Sequence, residues 1–278
     1  MNKKIFFAVG LLLMAHAAFP QKSESFIPRH DYLGLGFGVG KISVFDQINM
    51  GVPYTGLNLG TDFDATFTFK KSYLQLRNVF FSGNLAPYKS ESEKKNSISN
   101  YSENFSIAHY WKVYSIQPSD IYFFAGPILS AKGDFRFNNG ELGNSALGYN
   151  FAGSLGLALK SAWYFNVLPG GDDEMKDFRL EGSLSMPLLS GVFTPTYIGV
   201  TEKAVTENAG LIDLSSNYLG NPSSYFNLEL GLSLTYFLPN RNAVILSYNR
   251  DYVKTKPAYH PTNLMNQFFS IKLLFNLK

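Results

Sequence analysis

The 278-residue chain contains no cysteine. Disulfide frameworks and thiolate metal sites are therefore excluded, and so is a lipid anchor attached to a cysteine behind a leader. Charge is also scarce. Charged residues make up 16% of the chain, against about 25% in a typical soluble domain. The net charge is only +3 and no basic cluster is present, so a nucleic-acid partner is not expected. Beyond the first twenty residues no apolar run approaches ~18 residues, which excludes helical membrane spans. Neither G-x-S-x-G nor H-E-x-x-H occurs.

What is abundant is aromatic: 17 Tyr and 25 Phe, with mean hydropathy near zero at -0.05. The N-terminus has the form of a signal peptide over residues 1–17. Lys3 and Lys4 form the charged region, Ile5 to Met14 the apolar core, and Ala15-His16-Ala17 the small-residue site, with cleavage expected after Ala17 or Ala18. The rest of the chain alternates. In the last eleven residues Phe269, Ile271, Leu273, Phe275 and Leu277 fall on one side, and Ser270, Lys272 and Asn276 on the other. A two-faced strand needs a solvent for each face. In an exported, aromatic-rich chain those solvents are lipid outside and a wet interior within.

Ten strands are predicted: Tyr32 to Lys41, Gly56 to Phe69, Ser72 to Phe81, Ser99 to Tyr114, Asp120 to Phe137, Leu147 to Phe165, Asp177 to Phe193, Ser224 to Phe237, Asn242 to Val253, and Phe268 to Lys278. Gly126-Pro127 marks a bulge or bend in the fifth. The fold class is all-β, an antiparallel up-and-down transmembrane β-barrel of about ten strands, with eight or twelve as alternatives. Connectors after even-numbered strands are short, apart from Asn166 to Lys176. Those after odd-numbered strands are mostly longer and more polar, notably Ser82 to Ile98, Thr194 to Ser223 and Lys254 to Gln267. Outer-membrane barrels show this asymmetry. Residues 18–31 are then an N-terminal periplasmic segment, residues 32–278 the barrel, and both termini periplasmic. The competing architecture is a soluble β-sandwich. Strands longer than the ~5–6 residues usual in soluble sheets argue against it. So do aromatic pairs near strand ends, such as Tyr164-Phe165, Tyr236-Phe237 and Phe268-Phe269.

With leader, strands and terminal alternation together, the chain resembles bacterial outer-membrane β-barrel proteins, nearest the small barrels of Bacteroidota-type bacteria, with no specific member identified. The resemblance covers the whole mature chain and is one of pattern. Phe268 to Lys278 looks like the terminal signal read by the barrel-assembly machinery, although Leu277-Lys278 stands where a terminal aromatic is commoner. The resemblance implies insertion by that machinery into outer-membrane lipid.

The inward positions carry both signs of charge: Asp62, Asp64, Arg77, Lys112, Lys160, Arg179, Glu181, Glu229, Asp251 and Lys272. They fit an ion-selective, porin-like lumen or a self-neutralising interior, and in a barrel this small the second is favoured. After the leader only His30, His109 and His260 remain. His260 lies on the last outer loop. Enzymes of the omptin type resemble the chain in strand number and pair acidic residues with a histidine at the outer rim. Here the only adjacent acidic aspartates, Asp172-Asp173, fall on a predicted periplasmic turn. With Glu174 they also miss the calcium-loop spacing. No catalytic, cofactor or metal residues are therefore assigned. The expected role is non-enzymatic, either structural or as an accessory subunit of an envelope assembly with protein partners. A narrow pore for ions or small solutes is the alternative, and a rim-located hydrolase the second. Ser90 to Lys95 reads as a surface loop, and Ala209 to Ile212 marks the long loop as a functional candidate.

Overall fold

A computed structural model describes residues 31–46, 52–88, 97–138, 147–167, 176–195, 215–255 and 262–277. The strands are β1 (Tyr32–Asp46), β2 (Tyr54–Thr68), β3 (Ser72–Pro87), β4 (Ile98–Ile116), β5 (Ile121–Asn138), β6 (Leu147–Phe165), β7 (Phe178–Pro195), β8 (Ser215–Gly220), β9 (Tyr225–Phe237), β10 (Ala243–Thr255) and β11 (Thr262–Asn276). Each pairs antiparallel with its neighbours. β1 closes on β11 and β6 on β7, so the sheet closes into a ring, with β8 paired on one side only.

The ring has ten places although there are eleven strands. β8 pairs only with the far end of β7, from Ser190↔Gly220 to Pro195↔Ser215, whereas β9 pairs with its near end, from Phe178↔Tyr236 to Ser185↔Glu229. β8 and β9 are one barrel strand interrupted by a turn. Asn221 organises that turn, its carbonyl accepting from the N–H groups of Ser224 and Tyr225 and its Oδ1 from the N–H of Ser223. The expected loop Thr194 to Ser223 is corrected here, because Thr194 and Pro195 belong to β7 and Ser215–Gly220 form β8. Two bulges adjust the wall. Val113 is the extra residue on β4 and Leu188 on β7, opposite Leu155/Gly156. The expected irregularity at Gly126-Pro127 is seen as a lapse in β4–β5 pairing beside the first of these.

The short connectors are tight for local reasons. Asp120 takes a left-handed conformation (φ 48°) behind the 3₁₀ turn Gln117–Ser119, and Arg241 (φ 67°) does the same between β9 and β10. In the β9–β10 turn the Leu238 N–H donates to the Asn242 carbonyl at 2.8 Å.

Through the middle of the wall the alternation is as expected, with Leu, Phe and Val outward. Leu59 and Phe37 are 69% and 63% exposed, so no described segment covers this face there. Several strands run further than the apolar alternation predicted: β1 to Asp46, β3 to Pro87, and β11 from Thr262. In those extensions the polarity inverts. Inward residues become apolar (Ile42, Val44, Leu85, Ile98), with Leu264 packed against them, while outward residues become polar (Lys41, Ser43, Asn84, Ser99). A strand leaving hydrocarbon for water must exchange faces in this way, because its outside is then wet and its inside can be a dry core. The Ser99 hydroxyl donates to Asn84 Oδ1 at 3.1 Å on this outer polar face.

Candidate functional site

The interior is built in tiers along the barrel axis. Nearest the short turns is an aromatic tier. Tyr73 stacks on Tyr110 (4.9 Å between centroids) and meets Phe124 edge-on (5.2 Å), while Tyr122 meets Tyr164 at 5.7 Å. Tyr32 and Phe237 extend it to the other wall. Lys160 and Arg179 lie over rings of this tier. Lys160 Nζ is 4.8 Å from the centre of Tyr110 and 5.2 Å from that of Tyr73, and the Arg179 guanidinium is 5.4 Å from Phe237. Glu181 balances both, at 3.0 Å from Arg179 and 3.9 Å from Lys160.

The next tier is ionic. Asp62, fully buried, accepts from Arg77 Nη2 at 2.8 Å and Nε at 3.1 Å, and Lys272 Nζ lies 3.3 Å away. The Ser270 hydroxyl donates to the same carboxylate at 3.2 Å. Asp64 accepts from Gln75 Nε2 at 2.6 Å. From the opposite wall, Lys132 on β5 donates to Glu229 and Asp251, both at 2.6 Å, and to Asn227 Oδ1 at 3.1 Å. Other contacts also cross the lumen. Arg77 Nη1 reaches Asn249 Oδ1 at 2.9 Å, Asn104 Nδ2 reaches Glu229 Oε1 at 3.0 Å, and Lys160 reaches Gln75 Oε1 at 2.8 Å. In these two tiers Arg77, Lys132, Lys160, Arg179 and Lys272 face Asp62, Asp64, Glu181, Glu229 and Asp251, five charges of each sign. Among the described residues of these two tiers the charges cancel.

Above lies the apolar tier of the strand extensions, joined by Ala152, Val192 and Tyr225. The Arg136–Asp134 ion pair, at 2.7 Å, is buried at its margin. Between tiers the interior keeps a cavity of 170 Å³ against Asp64, Lys160, Glu181 and Glu229, and a smaller one of 60 Å³ against Lys132, Val192 and Tyr225.

Of the ten residues named from the sequence, nine stand in the aromatic and ionic tiers. Lys112 lies apart at the short-turn rim, its Nζ 6.0 Å from the centre of the Tyr122 ring. Sequence reasoning missed Lys132, although Lys132, Asp134 and Arg136 share the inward period of β5. The anticipated bend at Gly126-Pro127 obscured that parity. Gln75, Asn104 and Asn249 gave no signal, since a neutral amide looks like any polar inward residue. His109 faces outward, 4.6 Å from Trp111 and stacked at 6.1 Å on Phe69. The leader, His30, Ser90 to Lys95, Asp172-Asp173-Glu174, Ala209 to Ile212 and His260 lie outside the described residues. Among the described residues no group of three His, Asp or Glu side chains is placed to hold a metal.

No protein-family model matches the chain, and no curated protein matches it in sequence. Solved structures do match in shape. The outer membrane protease OmpT from Escherichia coli is 10% identical with a TM-score of 0.48, over 92% of this chain and 99% of that one. The translocator domain of the autotransporter NalP from Neisseria meningitidis is 8% identical with a TM-score of 0.41, over 96% and 94%. An outer membrane channel from Pseudomonas putida F1 is 9% identical with a TM-score of 0.34, over 93% and 100%.

Proposed function

We propose that the chain is an integral outer-membrane protein with a closed lumen, acting as a structural barrel or as an accessory subunit of an envelope assembly rather than as a porin. The location rests on the exterior, a leucine- and phenylalanine-rich belt that only hydrocarbon solvates cheaply, on a closed antiparallel ring. The leader over residues 1–17 supplies export, and the barrel-assembly machinery insertion. The short turns and both termini are periplasmic, and the long connectors face outward.

The observation that supports a closed lumen is Lys132, which spans from β5 to carboxylates on β9 and β10 in the ionic tier. Solute would have to break those contacts and also pass the aromatic tier. Planar-bilayer recording tests this. The reconstituted protein is expected to give no discrete conductance steps, and steps abolished by Glu229→Gln would overturn the reading. The narrow-pore alternative draws on the 170 Å³ cavity beside the ionic tier. It requires the side chains of Lys132 and Tyr73 to swing aside together.

A further inference from the structure

Outward cations are few on the described strands, and they are gathered in one place. They are Lys41 on β1 and Arg250 and Lys254 on β10. Strand pairing fixes how they stand. Lys41 is opposite Gln267 on β11, and Gln267 is opposite Arg250, so the three side chains form one row across three strands. Lys41 and Arg250 are two strand spacings apart, roughly 10 Å. Lys254 is paired with Asn263 further from the short turns.

The row sits where the outer face changes character. Immediately below it are Val39, Phe269 and Tyr248, the last two with ring centroids 4.6 Å apart. Phe269 and Val39 are each 55% exposed. Immediately above it, Ser43 and Met265 follow, and the inward face has turned apolar at Ile42. Leu57 beside Lys41 and Leu230 beside Arg250 continue the apolar belt on either side, 76% and 44% exposed, so the row is a polar break set into the rim of that belt. Arg250 already reaches away from the aromatic field, with Nη2 3.3 Å from Met265 Sδ. No carboxylate shares this face among the described residues. Asp251 points inward to Lys132, and the outward Glu103 is on β4, where it accepts from Asn78 Nδ2 at 2.9 Å.

We propose that the Lys41–Gln267–Arg250 row docks a phosphorylated, multiply acylated glycolipid of the outer leaflet, of lipid A chemistry. The two cations take phosphate oxygens, Gln267 and Asn263 take sugar hydroxyls, and Val39, Phe269 and Tyr248 receive acyl chains. The charge complementarity is one-sided because the row holds cations and no acid. This rests on the outward placement of the long connectors proposed above.

The test compares the wild-type barrel with K41Q/R250Q, each refolded into phosphatidylcholine vesicles. Unfolding midpoints are then followed as lipid A, or phosphatidylglycerol of equal charge, is added. Lipid A should raise the wild-type midpoint by mass action. The variant should need roughly tenfold more for half the shift, and phosphatidylglycerol should do less to the wild type. Both proteins folding in phosphatidylcholine but responding equally to lipid A would overturn the docking site while leaving the membrane barrel intact. An equal wild-type response to the two lipids would overturn the glycolipid as occupant. Failure of the wild type to enter vesicles would overturn both. R250Q alone, which should show part of the loss, serves if the double variant does not insert.

Discussion

Lys132 on β5 and Asp251 on β10 meet across the barrel, Nζ to Oδ2 at 2.6 Å, although 119 residues separate them. Asp251 is also the registered neighbour of Glu229, so one ammonium neutralises two adjacent carboxylates. Lys132→Met should leave those acids facing each other inside the barrel without a counter-charge. Breaking a buried pair in this way costs roughly 3–5 kcal/mol. A urea titration of the folded barrel in detergent should show the loss, and adding Glu229→Gln with Asp251→Asn should restore most of it. The barrel should still not conduct, because the aromatic tier around Tyr73 and Tyr110 is untouched.

Asp62 is the reciprocal case, one carboxylate serving two cations, Arg77 and Lys272. Asp62→Asn keeps the shape and removes the charge. It should destabilise by a similar amount, about 3–5 kcal/mol, by the same measurement. Adding Lys272→Met should recover part of the loss, since Arg77 then keeps its contact with Asn249. No recovery would mean that the two cations do not compete for this carboxylate.

The β1–β11 closure depends on a missing side chain. A Cβ on Gly38 would run into the Phe269 carbonyl oxygen and lie 2.6 Å from Cζ of Phe268, whose ring packs edge-on against Phe81 at 4.7 Å. Gly38→Ala should therefore cost on the order of 1–3 kcal/mol as an overpacked interior. It should lower the temperature at which the folded band is lost on electrophoresis. Gly153, which has nothing within 4 Å of a built Cβ, is the control and should tolerate alanine.

The wall was largely legible in the sequence, and the interior much less so. Period-two alternation reports which solvent each face meets, so Leu57, Leu59 and Phe269 announced a lipid-facing side without any knowledge of partners. The alternation failed where the solvent changed. Ile42, Val44 and Leu85 point inward while Lys41 and Ser43 point out, and a rule written for hydrocarbon outside reads that inversion as the end of a strand. β8 was hidden for a related reason, being six residues set off by a polar turn. The inward charges could be named because charge at an inward position is conspicuous. Their partners could not, because Arg77 finds Asn249 at a separation of 172 residues and only ring closure brings them together.

The chain has only two tryptophans, and both are on the outer wall: Trp111 on β4 is 49% exposed and Trp163 on β6 is 44% exposed. If hydrocarbon solvates that wall, brominated phospholipids should strongly quench their emission in reconstituted vesicles, while aqueous iodide should have little effect. Efficient quenching by iodide with none from brominated lipid would place both indoles in water and contradict a membrane-embedded barrel.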